Sequence, residues 1–325
     1  DVYKRQTQER VYRLNGGYPP MLDAEPVSDV WVLDAEFWQH ATTDAPAMAG
    51  HGLVTSADGR AWALGGIGAD DWLRPLDVLT TFRVLRIHAR LEVVVEHVNV
   101  PGPVPDSCFG QAFVAIEGGG SILSVGGACL GDPLNPAPGQ LWEYRIDANR
   151  WHRLADLPVA ISDHTAVEAR DRIWVFGGST AGGLSNEVFF YDLLVGGWGV
   201  VPTSGQRPDR RRNHSAVAVG KTMVVFGGIR EPFFPETVDD AWQLDFDTLV
   251  WSEKAPMPVG LAGVSADAIP RQMNVSPTIK VLIYGGVVDA WSFPPDLSDR
   301  TLVYTSDSRV RRGRAREVFP TAAAD

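Results

Sequence analysis

Short apolar runs separated by turn-forming residues make up most of the chain, and the clearest example lies between His214 and Trp251. There an apolar run ends in Gly227-Gly228, a loop follows, and a second apolar run precedes Trp251. Runs of about four to eight residues bounded by Gly, Pro, Asn and Asp are typical of β-strands. The pattern therefore predicts an all-β chain built from many short strands.

The same order of parts recurs along the chain. An apolar run ends in a glycine pair six times, at Gly16-Gly17, Gly65-Gly66, Gly126-Gly127, Gly177-Gly178, Gly227-Gly228 and Gly285-Gly286. The steps between successive pairs are 49, 61, 51, 50 and 58 residues. Periods near 50 with four short strands each are typical of β-propeller blades. We number these repeats one to six, and they predict six blades of four antiparallel strands.

Within each repeat the pattern assigns a role to each strand. The first strand is rich in small residues, as a crowded inner strand must be, and the second is apolar on both faces, as a strand buried between neighbours would be. The glycine pair permits positive φ where a Cβ would clash. A late tryptophan, such as Trp151, Trp198 or Trp251, is expected on the outer strand between adjacent blades.

The two ends of the chain depart from this pattern. Residues 1–6 resemble a cloning or assembly scar, so a single domain is expected over residues 7–308, with a basic segment over 309–325. The first repeat has no inner strand before its second strand. We expect the C-terminal segment, which contains five arginines between Arg309 and Arg316, either to supply that strand or to form a solvated tail. The alternative is that the chain is a piece of a longer protein.

These parts resemble the kelch repeat. In that family an inner strand often begun by Arg and His leads to a strand ending in Gly-Gly, then to Tyr-Asp and a Trp six residues later. His164, Gly177-Gly178, Tyr191-Asp192 and Trp198 match in the fourth repeat. The resemblance covers residues 10 to about 308. It implies a propeller of the galactose-oxidase/kelch type in which the loops after Gly-Gly and those before each inner strand share one face.

Composition narrows the classes of partner. The net charge is −11 and the pI is about 5.1, which disfavours general binding to nucleic acid or anionic membranes. No apolar stretch approaches the roughly 18 residues of a membrane helix, so a soluble protein without a membrane span is expected. No P-loop, GxSxG or HExxH motif occurs, and no cofactor or metal is expected.

The segment before the fifth inner strand is the main candidate for charged chemistry. Arg207, Arg210, Arg211 and Arg212 precede His214 there, and arginine offers fork geometry for a carboxylate or an acidic peptide. The kelch resemblance equally implies an arginine used for internal hydrogen bonds. Three inner strands begin with a histidine, at His51, His164 and His214. Three imidazoles near one axis could bind a metal ion, but packing of the imidazoles within the fold is the preferred interpretation.

Large aromatic residues in the loops are candidates for an interface. Loop residues of this kind have no core of their own to fill, so they either contact a partner or pack on neighbouring loops. The candidates are Trp72, Phe233, Phe234, Trp291 and Phe293.

The two cysteines indicate a compartment only if they are bonded. Cys108 and Cys129 flank a predicted hairpin centred near Gly118-Gly119, which places them opposite each other within reach of a disulfide. A disulfide would favour an extracellular or secretory location. Two buried thiols are the alternative.

These observations favour a non-catalytic scaffold that binds another protein through the loops of one face. The alternative is a small-molecule enzyme, a carbohydrate isomerase or oxidase, using Arg212, His214 and His164 at the channel mouth; a small-molecule ligand there remains open.

Overall fold

The structure is a computed structural model. It describes residues 11–14, 30–34, 37–43, 48–49, 52–56, 60–65, 67–68, 82–87, 92–106, 108–116, 118, 120–129, 139–230, 236–268, 279–289, 296–297, 301–306 and 314–319. These residues contain β-strands and no helix, which confirms the predicted all-β class within the described ranges. The chain divides into two compact parts, one of residues 1–162 with 196–198 and one of residues 163–195 with 199–325.

The first part begins with a sheet of seven strands. Its strands are β1 (Val11–Leu14), β2 (Val30–Asp34), β3 (Phe37–Thr43), β5 (Gly52–Thr55), β6 (Ala61–Leu64), β8 (Phe82–Ile87) and β9 (Glu92–His97). Their order is β1-β2-β3-β9-β8-β6-β5. A separate pair joins β4 (Met48–Ala49) to β7 (Ile67–Gly68). All neighbours in the large sheet are antiparallel except β3 and β9, which run parallel.

This sheet differs from the two separate blades that were expected for the first two repeats. The second repeat supplies four strands, whereas the first supplies three, and no inner strand of the first repeat is found among the described residues. The outer strands β3 and β9 pair with each other instead. The physical reason is that an outer strand exposes a row of backbone donors and acceptors, which pairs with any compatible edge it meets.

The third repeat forms a four-stranded antiparallel sheet of its own. Its strands are β11 (Ala112–Ala115), β12 (Ser121–Val125), β14 (Leu141–Arg145) and β15 (Arg150–Arg153), in that order. The short strands β10 (Cys108–Phe109) and β13 (Ala128–Cys129) pair beside it. Their register sets Cys108 directly opposite Cys129, as the hairpin argument predicted, while the disulfide itself stays a prediction.

Three more antiparallel sheets follow, one for each of the fourth, fifth and sixth repeats. The fourth repeat has β16 (Thr165–Ala169), β17 (Arg172–Phe176), β20 (Val188–Asp192) and β21 (Gly197–Val200), with the side pair β18 (Ser179–Thr180) and β19 (Gly183–Leu184). The fifth has β22 (Ser215–Val219), β23 (Thr222–Phe226), β24 (Ala241–Asp245) and β25 (Trp251–Lys254). The sixth has β26 (Ser265–Ala268), β27 (Ile279–Tyr284), β30 (Thr301–Ser306) and β31 (Arg314–Phe319), with the side pair β28 (Val287–Asp289) and β29 (Asp296–Leu297).

The C-terminal segment has a place in the last sheet. Strand β31 pairs antiparallel with β30 and is the fourth strand of the sixth repeat. It therefore does not lie where an inner strand of the first repeat would. It stands in the position that the late tryptophan strands occupy in the third to fifth repeats.

Each core lies between two neighbouring sheets. In the first part, Trp62 and Phe82 of the second repeat pack on Tyr144 and Trp151 of the third, with the Phe82 and Trp151 ring centroids 5.2 Å apart. In the second part, the sheets of the fourth and fifth repeats share one cluster, and those of the fifth and sixth share another. The second strands whose burial is fully described, β6, β12, β17 and β23, are buried on both faces, as predicted, and all five residues of β23 are buried.

The late tryptophans confirm the predicted role in two repeats. Trp151 and Trp251 are 2% and 3% exposed, and Trp251 lies 5.0 Å from the ring of Phe176 in the neighbouring sheet. Trp198 is only partly buried, and its indole N–H donates to the carbonyl of Ala155. Such packing joins sheets that could not bury both faces alone.

Candidate functional site

A short segment leads into each inner strand and ends in a repeated pair of positions. The first position has a left-handed backbone in four repeats, at Gly110 (φ 65°), Asp163 (φ 54°), Asn213 (φ 52°) and Gly263 (φ 64°). The second position directly precedes the strand and holds Gln111, His164, His214 and Val264. We call these the lead-in segments. Backbone hydrogen bonds connect successive ones, since Asn213 N–H donates to the Asp163 carbonyl and Gly263 N–H to the Asn213 carbonyl.

The imidazole of His214 fills a space that the preceding glycine pair leaves open. A Cβ added to Gly177, whose φ is 68°, would lie 2.5 Å from His214 Cε1. The ring stands edge-on to Phe176 at 5.1 Å, and its Nε2 lies 2.9 Å from Thr165 Oγ1. His214 is 5% exposed, so this histidine contacts the interior of the fold.

The surroundings of His214 keep the ring neutral. Burial is the main cause of a pKa well below the ordinary 6.5, and the charges of Arg211 and His164 lower it further. A backbone hydrogen bond to Phe176 acts in the opposite direction and is the smaller effect. His214 is therefore uncharged at neutral pH and cannot supply a positive charge to a ligand.

The equivalent positions in other repeats show that the fold does not depend on an imidazole there. Gln111 takes the same place in the third repeat, is 8% exposed, and donates from Nε2 to the Leu64 carbonyl at 3.0 Å. Val264 takes it in the sixth, where it makes no side-chain hydrogen bond at all. This comparison favours the packing interpretation of His164 and His214 over a metal site. Among the described residues, no group of three or more His, Cys, Asp and Glu side chains is placed to hold a metal ion.

Arg211 is committed to the interior of the lead-in segment. Its guanidinium is fully buried and forms two hydrogen bonds with the carboxylate of Asp240, at 2.5 and 2.7 Å. It also donates to the Gly227 carbonyl at 2.9 Å and to the Asp209 carbonyl at 3.1 Å. The Arg211 carbonyl accepts from Gly178 N–H at 2.8 Å. Arg211 therefore holds the segment in place, as the kelch resemblance implied for an arginine here, and presents no surface to a ligand.

Arg212 follows directly and points to a different environment. Its backbone pairs in both directions with Ile229, at 3.0 and 2.9 Å. Its side chain is 28% exposed, and Nη1 lies 4.0 Å from Asp163 Oδ2. Its Nε is buried and has no hydrogen-bond partner within the described part of the chain. Arg212 therefore combines a fixed backbone with a guanidinium nitrogen that is not committed within the described part of the chain.

The remaining cations of this region lie at the surface. Arg207 is 44% exposed, with Nη1 3.9 Å from Glu187 Oε1, and Arg210 is exposed. Arg230 begins the loop after the fifth glycine pair and forms an ion pair with Glu236 at 2.8 Å at the end of that loop. Acidic groups are thus interspersed with the arginines, so the surface is mixed in charge rather than uniformly basic.

Several predicted site residues lie outside the described residues. These are His51, Trp72, Phe233, Phe234, Trp291 and Phe293. The ends of the loop that carries Phe233 and Phe234 are described, however. Ile229, which precedes that loop, is hydrogen-bonded to Arg212, so the base of the loop adjoins the lead-in segment.

Asp163 and Asp240 are the residues of this site that the sequence analysis did not single out. Asp240 binds Arg211 and also accepts from the indole N–H of Trp242 at 2.8 Å. One signal was present in the sequence: both Gln140 and Asp240 precede a third strand and lie two residues before a tryptophan. Gln140 Oε1 likewise accepts from the Trp142 indole, at 2.7 Å.

Comparison with known proteins finds a matching family model and several proteins that are similar to this chain. The family model described as the KLHDC2/KLHL20/DRC7 Kelch-repeats domain matches residues 83–286. The chain is similar to Multiple epidermal growth factor-like domains protein 8 of Mus musculus, at 26% identity over 78% of this chain and 9% of that protein. It is also similar to Kelch domain-containing protein 3 of Bos taurus, at 26% identity over 42% of this chain and 39% of that protein. Leucine-zipper-like transcriptional regulator 1 of Homo sapiens is 32% identical over 41% of this chain and 16% of that protein.

The match with the family model extends from the third strand of the second repeat into the sixth repeat. The chain spans less than two fifths of the length of each of these three relatives. In the described ranges, no helix is long and apolar enough to cross a membrane. Because the family model matches more than half of its residues, this chain belongs to the KLHDC2/KLHL20/DRC7 Kelch-repeats domain family and is an all-β kelch-type β-propeller.

Proposed function

We propose that this chain is a protein-binding scaffold that contacts its partner through the lead-in segment of the fifth repeat and the loop beside it. The observation that carries this proposal is the contrast between Arg211 and its neighbours. Arg211 is fully buried and paired with Asp240, while Arg207, Arg210 and Arg212 are at least partly exposed on the same segment. A rigid backbone that presents exposed arginines is suited to recognition, because little conformational entropy is lost on binding.

The adjoining loop supports the same surface. It carries Phe233 and Phe234, and its base is attached to the lead-in segment through the backbone pairing of Ile229 with Arg212. Aromatic and arginine side chains are the residues most enriched at the energetic centres of protein interfaces. A partner with acidic and apolar groups side by side would complement this combination.

The test is a quantitative capture experiment with the 325-residue chain as bait. One variant carries Arg207→Glu, Arg210→Glu and Arg212→Glu, a second carries Phe233→Ser and Phe234→Ser, and a control carries Lys221→Glu. Lys221 is 69% exposed and lies in the β22–β23 turn, at the other end of β22 from the lead-in segment. A partner that is retained by the wild type and the control, but lost from both the arginine variant and the phenylalanine variant, supports the proposal.

Retention of every captured protein by both the arginine variant and the phenylalanine variant would contradict the proposal. Arg211 and Asp240 are left unchanged in these variants, so a loss of binding does not reflect loss of the buried pair. Circular dichroism melting curves of the four proteins provide the check that each is folded.

We also infer that the six glycine-pair repeats correspond to six blades. Four of them form separate four-stranded antiparallel sheets, and the second repeat supplies four strands of the seven-stranded sheet. The first repeat supplies three strands. An experimental structure in which the first repeat is a separate four-stranded sheet would support six blades, and one in which it remains joined to β9 would contradict it.

A further inference from the structure

A small pocket lies where the second and third repeats meet, within the first part of the chain. Its volume is about 170 Å³. We call it the junction pocket, and it is lined by Leu64, Phe82, His97, Val98, Val100, Val104, Pro105 and Trp151. Phe82 and Trp151 are buried, with ring centroids 5.2 Å apart, whereas His97 and Val104 are exposed. The pocket therefore extends from an aromatic wall in the core to residues at the surface.

One position in the connection between repeats is filled differently here than elsewhere. In the third to sixth repeats a residue followed by proline stands seven positions before the end of the lead-in segment, and the four residues are Val104, Leu157, Arg207 and Met257. Leu157 and Met257 are 5% and 2% exposed, and each donates its backbone N–H, at 2.7 Å, to a carbonyl two residues before a third strand. Val104 is 46% exposed. The shorter valine therefore fills less of the interior than leucine or methionine does at this position.

Met257 shows what occupies the equivalent space between the fifth and sixth repeats. Its side chain belongs to one buried cluster with Phe226 and Ala241. Phe226 and Ala241 are directly paired across β23 and β24. Leu64 and Phe82 are the equivalent pair across β6 and β8, and both line the junction pocket. The pocket therefore corresponds to space that the Met257 side chain fills in the later repeat.

The junction between the fourth and fifth repeats is filled in another way. Arg207 stands in the position of Val104 and is exposed, but Val201 is 5% exposed and belongs to the core cluster that these two repeats share. The backbone N–H groups of Val201 and Val98 both donate, at 2.9 Å, to the first residue of the preceding third strand, so the two valines are equivalent. Val98 is only half-buried and lines the junction pocket. The junction between the second and third repeats thus lacks both kinds of filling.

The lining and the size of the junction pocket define the kind of ligand that fits. Seven of its eight residues are aliphatic or aromatic, and the exception, His97, is exposed. A charged ligand would lose its hydration inside without an ion partner, so an uncharged one is favoured. The volume is close to that of an engineered apolar cavity of about 150 Å³ that binds benzene. It is well below the roughly 300 Å³ or more of pockets for drug-sized molecules, so the ligand is limited to about one ring.

We propose that the junction pocket binds a small uncharged molecule with a single ring, such as a substituted phenol. The ring packs against Phe82 and Trp151, and the imidazole of His97 offers a hydrogen bond to one hydroxyl at the surface end. All residues that line the pocket belong to the first part of the chain, whereas the lead-in segment of the fifth repeat belongs to the second. The inference therefore does not depend on the proposed scaffold function.

The test is isothermal titration calorimetry of the 325-residue chain with p-cresol, and with 4-hydroxybenzoate as a charged ligand of similar size. The variant is Val104→Met, which places in the junction pocket the residue that Met257 provides at the equivalent position. The control is Val200→Met, because Val200 is 57% exposed, lies in the second part of the chain and does not line the pocket. Thermal melting curves of the three proteins check that each is folded.

The wild type and the control are expected to bind p-cresol with a dissociation constant of about 1 mM or below, and 4-hydroxybenzoate at least about tenfold more weakly. Val104→Met should bind p-cresol at least about tenfold more weakly than the wild type. Because methionine fills the space, the variant should also melt about 1–3 °C higher. The proposal is overturned if the wild type shows no saturable binding of p-cresol up to about 10 mM, or if folded Val104→Met and Val200→Met bind it equally well. Equal binding of p-cresol and 4-hydroxybenzoate by the wild type would overturn the uncharged class of ligand.

Discussion

The guanidinium of Arg211 and the carboxylate of Asp240 form a two-pronged ion pair in which the arginine has no exposed surface. The pair spans 29 residues of sequence within the fifth repeat and connects the lead-in segment to the residue before β24. Backbone carbonyls of Asp209 and Gly227 accept two of the remaining donors. The pair therefore sets where the neighbouring exposed arginines stand.

Replacement of Arg211 should destabilise the chain strongly. Arg211→Ala takes the guanidinium donors away from Asp240 and from two carbonyl groups, and removal of one partner of a buried pair costs about 3–5 kcal/mol. Arg211→Lys should recover only part of this, because an ammonium cannot form the two parallel bonds. The measurement is the free energy of unfolding in urea. The control, Arg170→Ala, removes an ion pair with Asp247 in which Arg170 is 42% exposed, and it should cost less than about 1 kcal/mol.

Equal and small losses for Arg211→Ala and Arg170→Ala would show that the buried pair does not hold the segment. The comparison is direct because both substitutions remove one arginine from the second part of the chain.

Substitution of Gly177 separates steric contact from backbone conformation. Gly177→Ala adds a Cβ 2.5 Å from His214 Cε1 at a φ of 68°. Gly220→Ala, at a φ of 60°, adds a Cβ with no atom within 4 Å, so it incurs only the cost of the left-handed backbone, about 1 kcal/mol. Gly177→Ala should therefore lower the free energy of unfolding by about 1–3 kcal/mol more than Gly220→Ala. Equal effects would indicate that the histidine does not fill the space above the glycine.

Burial of His214 predicts a dependence of stability on pH. Its pKa is well below 6.5 in the folded chain, whereas the unfolded chain titrates near 6.5, so the unfolded chain binds more protons as the pH falls below that value. Stability contributed by this group is complete above about pH 6.5 and is lost as the pH falls toward the folded pKa. The slope from one such group is at most about 1.4 kcal/mol per pH unit.

The matched variant for this prediction is His214→Gln, because Gln111 fills the equivalent position in the third repeat. The difference in unfolding free energy between the wild type and the variant should change between pH 7.5 and pH 5, with the wild type losing more on acidification. Parallel pH profiles of the two proteins would contradict the assignment.

The register of β10 and β13 predicts a disulfide between Cys108 and Cys129 when the chain folds under oxidising conditions. Intact mass after denaturation without reductant should be about 2 Da below that of the reduced chain, since two thiol hydrogens are lost. Reduction should lower the free energy of unfolding by about 3 kcal/mol, as expected for a loop of this size. Two titratable thiols in the oxidatively folded chain would contradict the prediction, and Cys108→Ser is the control that lacks the bond.

The repeat pattern predicted most of the local fold. The glycine pairs, the apolar second strands and the late tryptophans recur at a near-constant period, and four of the repeats form the separate sheets that this period implies. The opposed positions of Cys108 and Cys129 also followed from the sequence, because a hairpin is symmetric about its turn. The first repeat did not follow the pattern, because its outer strand β3 pairs with β9 instead of remaining a free edge.

The candidate site was predicted only as a stretch of chain. Four arginines between Arg207 and Arg212 are chemically alike, and no local pattern distinguishes the one that faces inward. That choice depends on Asp240, which lies far along the sequence and becomes a neighbour of Arg211 only when β22 to β24 form one sheet. Similarly, the histidines at the lead-in positions could have been ligands or packing residues until their burial was known.

The sequence by itself determined the strand pattern, the repeat boundaries and the family of this chain, because these depend on periodic placement of apolar, glycine and tryptophan residues. Only the tertiary structure decided which charged and apolar residues are used inside the fold and which remain exposed. The physical reason is that burial and ion pairing depend on contacts between segments distant in sequence, such as Arg211 with Asp240 and Gly177 with His214.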